Sequence, residues 1–181
     1  MNLLVVSYSL TGNNRALARG IAEKLNAKHI DVTEKRTKKR AMGTIVRDLL
    51  LNQTPKVDPA ADIINRDDAV VLVGPVWIGS VATPLRAYMK RLRNFDCPYA
   101  FVTISGGADG HNLKLAGELK RRVKRAPVAV LDLTIADLIS KGKKLTRDDT
   151  SAYKVTEDDV ENLTNQALPA LEALKGKGHA K

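Results

Sequence analysis

Five of the six positions in SLTGNN carry a hydroxyl, an amide or no side chain at all: Ser9, Thr11, Gly12, Asn13 and Asn14, with Leu10 the exception. Placed just ahead of a helix, such a set can hold a phosphate without a lysine. The helix amino terminus offers unpaired N–H groups and the positive end of its dipole. Hydroxyl and amide side chains add donors, and glycine allows the backbone to approach closely. The same residue types are also preferred helix caps and turn formers. The stretch has neither the G-x-G-x-x-G of a dinucleotide fold nor the G-x-x-x-x-G-K of a P-loop, so a mononucleotide is a better candidate than NAD or ATP. Two other stretches are unusual: GPVWIGSVAT (Gly74 to Thr83), with the single Trp of the chain, and the glycine-rich SGGADGH (Ser105 to His111).

The elements around these stretches can be read from periodicity. Leu3 to Val6 is a short apolar run of the kind a strand shows when both faces are covered. Leu17, Ile21 and Leu25 recur every four residues, with Ala18 and Ala22 beside them, which predicts a helix laying one stripe on a sheet. HIDVT (His29 to Thr33) alternates in polarity and predicts an edge strand, and Met42, Ile45, Val46, Leu49 and Leu50 keep helical spacing. AVVLVGP (Ala69 to Pro75) reads as a buried strand, and Leu85, Tyr88, Met89 and Leu92 as the next helix, with Pro84 in its first turn. YAFVTIS (Tyr99 to Ser105), then Leu115, Leu119 and Val123, then VAVLDLTI (Val128 to Ile135) continue the alternation as strand, helix and strand.

Residues 136–155 are polar and lysine-rich and read as a surface excursion with one short helix. Thr156 with Asp159 forms a capping-box pattern ahead of a last helix through Val160, Leu163, Ala167, Leu171 and Leu174. Strands alternating with helices predict an α/β fold, a parallel sheet covered on both faces. Ligands of such sheets bind outside the carboxyl ends of the strands, which brings the three unusual stretches together.

Composition narrows the field. At 181 residues the chain suits one domain, expected over 1–175 with a frayed basic tail at 176–181, and 44% hydrophobic residues favour a folded globule over disorder. The run Leu3 to Val6 is too short for a signal-peptide core and no stretch approaches a membrane span. A lone Cys97 rules out an internal disulfide and suits a reducing cytoplasm. The net charge of +10 gathers in KRTKKR (Lys35 to Arg40), KRRVKR (Lys120 to Arg125) and KGKKLTR (Lys141 to Arg147). Without a reading motif or an aromatic platform, these clusters read as solvated faces rather than a nucleic-acid site.

Taken together, the three stretches resemble a family. VSYSLTGNN, with Ser9 to Asn14 directly after the first strand, looks like the flavodoxin phosphate loop S/T-x-T-G-N-T, with Asn14 in place of the final Thr. VGPVWIGSVATPLRAYM (Val73 to Met89) is similar to that family's second flavin loop, and TISGG (Thr103 to Gly107) to its third. The resemblance implies a flavodoxin-like, doubly wound, five-stranded parallel sheet in the order 2-1-3-4-5 with helices on both faces, and non-covalent FMN at the switch point. Flavodoxin is itself a standard instance of this strand order. The likeness further implies that Ser9, Leu10, Thr11, Gly12, Asn13 and Asn14 hold the ribityl phosphate. In the second loop, which opens at Pro75, Trp77 would stack on the ring and the backbone from Val76 through Ile78 to Gly79 would reach its reactive edge, while Ser105, Gly106 and Gly107 would reach its pyrimidine side. Gly79 would let a peptide turn over when the flavin gains a proton. The third stretch offers Asp109 and His111 where flavodoxins carry a Tyr, which implies a ring more open on one side.

No G-x-S-x-G elbow, H-E-x-x-H helix or Cys/His metal spacing is present. Three functions are consistent with these readings. The first is an FMN-binding electron carrier serving a redox partner protein with an acidic docking surface. The second is an FMN-dependent reductase taking hydride from NAD(P)H for a quinone-type acceptor. The third is a flavin-free basic binding module.

Overall fold

The computed structural model describes residues 2–35, 42–140 and 145–176. Five parallel strands form its central sheet: β1 (Leu3–Ser7), β2 (Lys28–Asp31), β3 (Ala69–Val73), β4 (Tyr99–Ser105) and β5 (Ala129–Thr134). Their spatial order is β2-β1-β3-β4-β5, the 2-1-3-4-5 arrangement that the resemblance implies. Registers such as Val6 opposite Leu72, and Leu72 opposite Phe101, align the ends of β1, β3 and β4, so the chain leaves all three at one rim.

Burial explains the strand sequences. All five residues of β3 are buried, as a central strand covered on both faces requires, whereas β2 alternates and most of β5 is half-buried, as befits edges. Helices α1 (Asn13–Lys24) and α7 (Glu157–Gly176) cover one face through an aliphatic core that includes Leu17, Ile21, Leu163 and Leu171. A Cβ at Gly20 of α1 would stand 2.6 Å from the Thr164 hydroxyl of α7, so glycine lets these two helices approach closely. Helices α3 (Arg86–Leu92) and α4 (Leu115–Val123) cover the other face, where Tyr8, Tyr88, Tyr99 and Phe101 enlarge the core. Between β2 and β3 lies α2 (Met42–Leu50), with Ile45 buried.

The differences from the sequence reading are local. The helix expected from Pro84 begins as a 3-10 turn over Thr83–Leu85, because proline suits a first turn but the i→i+4 ladder starts only at Arg86. The polar excursion contains two short helices rather than one, α5 (Ile135–Ile139) and α6 (Arg147–Ser151). The capping box is present: Thr156 N–H donates to Asp159 Oδ2 at 2.9 Å and Asp159 N–H to Thr156 Oγ1 at 3.1 Å. Most of the basic run Lys35 to Arg40, part of Lys141 to Arg147 and the tail 177–181 lie outside the described residues. Among the described residues no helix is long and apolar enough to cross a membrane, and no cluster of three His, Cys, Asp or Glu could hold a metal.

Candidate active site

The three loops leaving β1, β3 and β4 meet at the carboxyl rim of the sheet around a cavity of about 620 Å³. Of the fourteen residues singled out in the sequence, twelve line it; Ser9 and Gly12 do not. Those two shape the first loop instead. Ser9 Oγ accepts the Gly12 N–H at 2.9 Å, and Gly12 turns the chain into α1 at φ 104°, a left-handed conformation that glycine adopts without strain. No side chain caps α1, so its first-turn amides are left to the cavity.

The asparagines do something the sequence did not reveal. Asn14 is 4% exposed, and its amide makes a two-way bond with one residue of β4: Nδ2 donates to the Ile104 carbonyl at 3.1 Å, and Oδ1 accepts the Ile104 N–H at 2.8 Å. Asn13 Nδ2 donates to the Tyr153 carbonyl at 2.9 Å, and its Oδ1 accepts the Val155 N–H at 3.3 Å. The resemblance implies phosphate donors at both side chains; each also bonds protein backbone through one of its two Nδ2 hydrogens. For an anion there remain the second Nδ2 hydrogen of each, their main-chain N–H groups and the Thr11 side chain.

The second loop is a tight hairpin. Val76 and Trp77 pair with Val81 and Ser80, and the two turn residues, Ile78 and Gly79, have φ of 50° and 71°. Both central residues positive is the mark of a type I′ turn, easy for Gly79 and costly for a β-branched Ile78. Trp77 meets Tyr8 edge to face, with centroids 5.9 Å apart at 87°. The far strand is fixed by the Val81 N–H donating to Glu118 Oε2 at 2.8 Å.

The third loop is organised by Asp132 of β5. Its carboxylate accepts Ser105 Oγ at 2.8 Å, the Asn112 N–H at 2.6 Å and Asn112 Nδ2 at 2.9 Å. Gly107 has φ 76°, and a Cβ there would lie 2.5 Å from the Thr134 Cβ, so no other residue fits. Asp109 lines the cavity as expected, but His111 does not: its Nδ1 sits 3.1 Å from the Asp132 carbonyl oxygen.

A fourth wall comes from the polar excursion. Arg147, Thr150 and Ser151 of α6 line the cavity, and Arg147 Nε pairs with Asp109 Oδ2 at 2.7 Å, bridging to the third loop. Lys154 Nζ donates to the Thr11 carbonyl, setting a cation beside the first loop. This segment is itself anchored, since Tyr153 donates to Asp159 Oδ2 at 2.7 Å while the Thr156 N–H, chiefly, holds the Asp159 carboxyl below its usual range. The site therefore has more positive charge and more cover than the three loops alone provide. No motif marks Arg147 or Lys154 in the sequence. The usable signal was topological, because a segment leaving the end of β5 must start at this same rim.

Comparison with known proteins adds a family. Residues 1–111 match the family model described as NADPH-dependent FMN reductase. No curated protein matches the chain. Among solved structures, a flavoprotein from Lactobacillus acidophilus NCFM in complex with FMN is similar at a TM-score of 0.60 and 18% identity, covering 77% of this chain and 97% of that one. A flavodoxin from the domain Archaea superposes at a TM-score of 0.52 and 14% identity over 97% of this chain and 99% of that one. A short-chain flavodoxin associated with a bacterial microcompartment does so at 0.50 and 14%, over 96% and 99%. Likeness at these identities shows the fold alone.

Proposed function

Since this chain belongs to the NADPH-dependent FMN reductase family, whose model matches 111 of its 181 residues, we propose that it is an FMN-dependent NAD(P)H oxidoreductase. The observation that carries the reading is the pairing of an uncapped α1 amino terminus with the Trp77 indole on the walls of one cavity of about 620 Å³, within the size range of small-molecule sites. The donor set fits a monophosphate ester: main-chain amides of the first helical turn, the Thr11 hydroxyl, and Lys154 nearby. FMN, when bound, supplies two-electron redox chemistry, with NADPH as hydride donor and a quinone-type molecule as acceptor.

The chain would contribute binding, orientation and exclusion of water. The first loop holds the phosphate in place with amides that need no rearrangement, because Asn13 and Asn14 have already fixed them. Trp77 supports the ring, and a stacked aromatic contact adds about 0.5–1.5 kcal/mol beyond area burial. Ser105, Gly106 and Gly107 present the main chain of the third loop, held by Asp132 and Thr134. Arg147 sits at the rim, where its ion pair with Asp109 ties α6 to the third loop over the site. Family membership favours the reductase over the electron carrier, for which the fold-level likeness to flavodoxins is the sole support.

Titration of the protein with FMN and with riboflavin, followed by flavin fluorescence, tests the site, and steady-state NADPH oxidation with a soluble quinone tests the activity. Stoichiometric FMN binding at least tenfold tighter than riboflavin is expected, with Trp77→Ala weakening both ligands by up to about tenfold. Equal affinity for the two flavins would remove the phosphate assignment. An FMN-loaded protein that does not oxidise NADPH or NADH would leave the carrier reading instead.

A further inference from the structure

A second concavity lies away from this rim, between α3, α4 and the segment after α2. Its volume is about 350 Å³, and six of its nine lining residues are cationic: Arg86, Lys90, Arg93, Arg121, Arg122 and Lys124. We propose that this cleft is a binding site for a di- or polyphosphate group.

The argument begins with Arg86. It is 4% exposed, and its Nε is buried without a hydrogen-bond partner. The Nη1 atom reaches only carbonyl oxygens, those of Gln53 at 3.2 Å and Asp48 at 3.5 Å. A buried guanidinium bonded to carbonyls alone, with the Glu118 and Asp48 carboxylates acting on it only through space, has no directly paired anion. Its surroundings make matters worse: burial, then the neighbouring Arg122 cation, lower its pKa to about 10, against a smaller opposing pull from Glu118. Arg122 is engaged, with Nε 2.7 Å from Glu118 Oε1 and Nη1 3.2 Å from Asn52 Oδ1. Among the described residues, Arg86, Lys90, Arg93, Arg121 and Lys124 form no ion pair. Five cations without an ion-pair partner thus line one hollow, where a compact anion of multiple charge would gain most.

The neighbouring Arg125 shows that not every cation of the run is drawn to this cleft. Arg125 belongs to the same run, Lys120 to Arg125, yet it turns the other way. There it donates to the carbonyls of Phe95 and Cys97, and its guanidinium lies 5.8 Å from the Tyr99 ring centre, a structural role. The shape favours a small ligand over a nucleic-acid strand. The innermost cation is recessed, and among the described residues no aromatic side chain lines the cleft to stack a base.

The test is calorimetric titration of the purified protein, with and without FMN, using inorganic pyrophosphate and, separately, ADP. The comparison variant is Arg121→Gln/Lys124→Gln, which alters two exposed side chains and leaves the buried Arg86 in place. Saturable binding of one equivalent is expected, weakened at least tenfold in the double variant, with flavin affinity unchanged. ADP binding more tightly than pyrophosphate would identify a nucleotide as the source of the phosphates, and equal affinity a free polyphosphate; both support the site. The proposal fails if neither ligand saturates, if the double variant binds as the wild type does, or if a single-stranded oligonucleotide binds where pyrophosphate does not. Because FMN binding is read separately, a colourless protein would still give a clear answer here.

Discussion

The first loop is tied down by its own side chains to distant elements, Asn14 to Ile104 and Asn13 to Tyr153 and Val155, whereas the Trp77 hairpin is anchored through one backbone N–H, Val81 to Glu118, and its tip is shaped by a two-residue turn. The difference matches what each would hold. A phosphate is small and charged, and the donors around it gain affinity only if they are fixed beforehand, since ordering them at the moment of binding consumes part of the interaction. A flavin ring is broad and apolar, and the surface that receives it can shift without losing contact. The hairpin accordingly carries local strain, with Ile78 at φ 50° and 76% exposed, whereas Gly12 takes up the left-handed turn of the first loop without cost.

The sharpest way to break this contrast is Asn14→Leu. Leucine is near the right size but leaves the Ile104 amide and carbonyl both buried and unpaired, at about 1–3 kcal/mol for each. A urea midpoint lowered accordingly is expected, together with FMN affinity reduced more than tenfold as the loop loses its tie to Ile104. A variant as stable as the wild type would mean that the Asn14 tie to Ile104 does not hold the first loop.

Ile78→Asn approaches the contrast from the other side and has a smaller effect of opposite sign. Asn-Gly is the preferred pair for a turn in which both central residues have positive φ. Relieving the left-handed isoleucine should stabilise the protein by ~1 kcal/mol, read as a higher urea midpoint. If the hairpin is an adaptable ring support, FMN affinity stays within about threefold while NADPH turnover changes. Destabilisation would show that the exposed Ile78 side chain contributes packing that its exposure conceals.

How far the sequence revealed these loops depended on the distance over which each was built. Tyr99–Ser105 and Leu115–Val123 are legible to the residue because an unbroken apolar run and a four-residue stripe are local signals. The SLTGNN composition likewise pointed to the cavity, and so did the Trp77 stretch. The partners of Asn13 and Asn14 were not legible, since these lie 140 and 90 residues further along, and polar composition does not say whether a donor faces a ligand or a backbone. Asp132 escaped notice for a related reason: within VAVLDLTI it interrupts an apolar strand, and its role as the anchor of Ser105 and Asn112 exists only once β5 lies beside β4. The basic run Lys120 to Arg125 read as one solvated face, yet α4 ends at Val123 and the left-handed Lys124 turns the chain, so the run is divided between a cleft and a structural contact of Arg125 with Tyr99.

The smallest expected effect separates the two loops by pH. The first loop follows directly from Ser7, whose buried hydroxyl lies 2.9 Å from His29 Nε2 on β2. Burial, chiefly, lowers the pKa of His29 below the usual 6.5; Asp31 opposes the shift, and the Arg15 and Arg19 cations reinforce it. The native state therefore binds this proton less readily than the unfolded chain does. The stabilisation is complete above about pH 6.5, declines as pH falls through the interval between the unfolded and native values, and falls no further below the native one. A wild-type urea midpoint that drops between pH 7 and pH 5 is expected, with a shallower slope in His29→Gln, whose side chain does not titrate. FMN affinity should follow the same profile if protonation disturbs Ser7 and the loop beyond it, whereas near-ultraviolet circular dichroism of Trp77 should not. Equal slopes in the two proteins would place the acid sensitivity elsewhere and leave the first loop as indifferent to pH as the second.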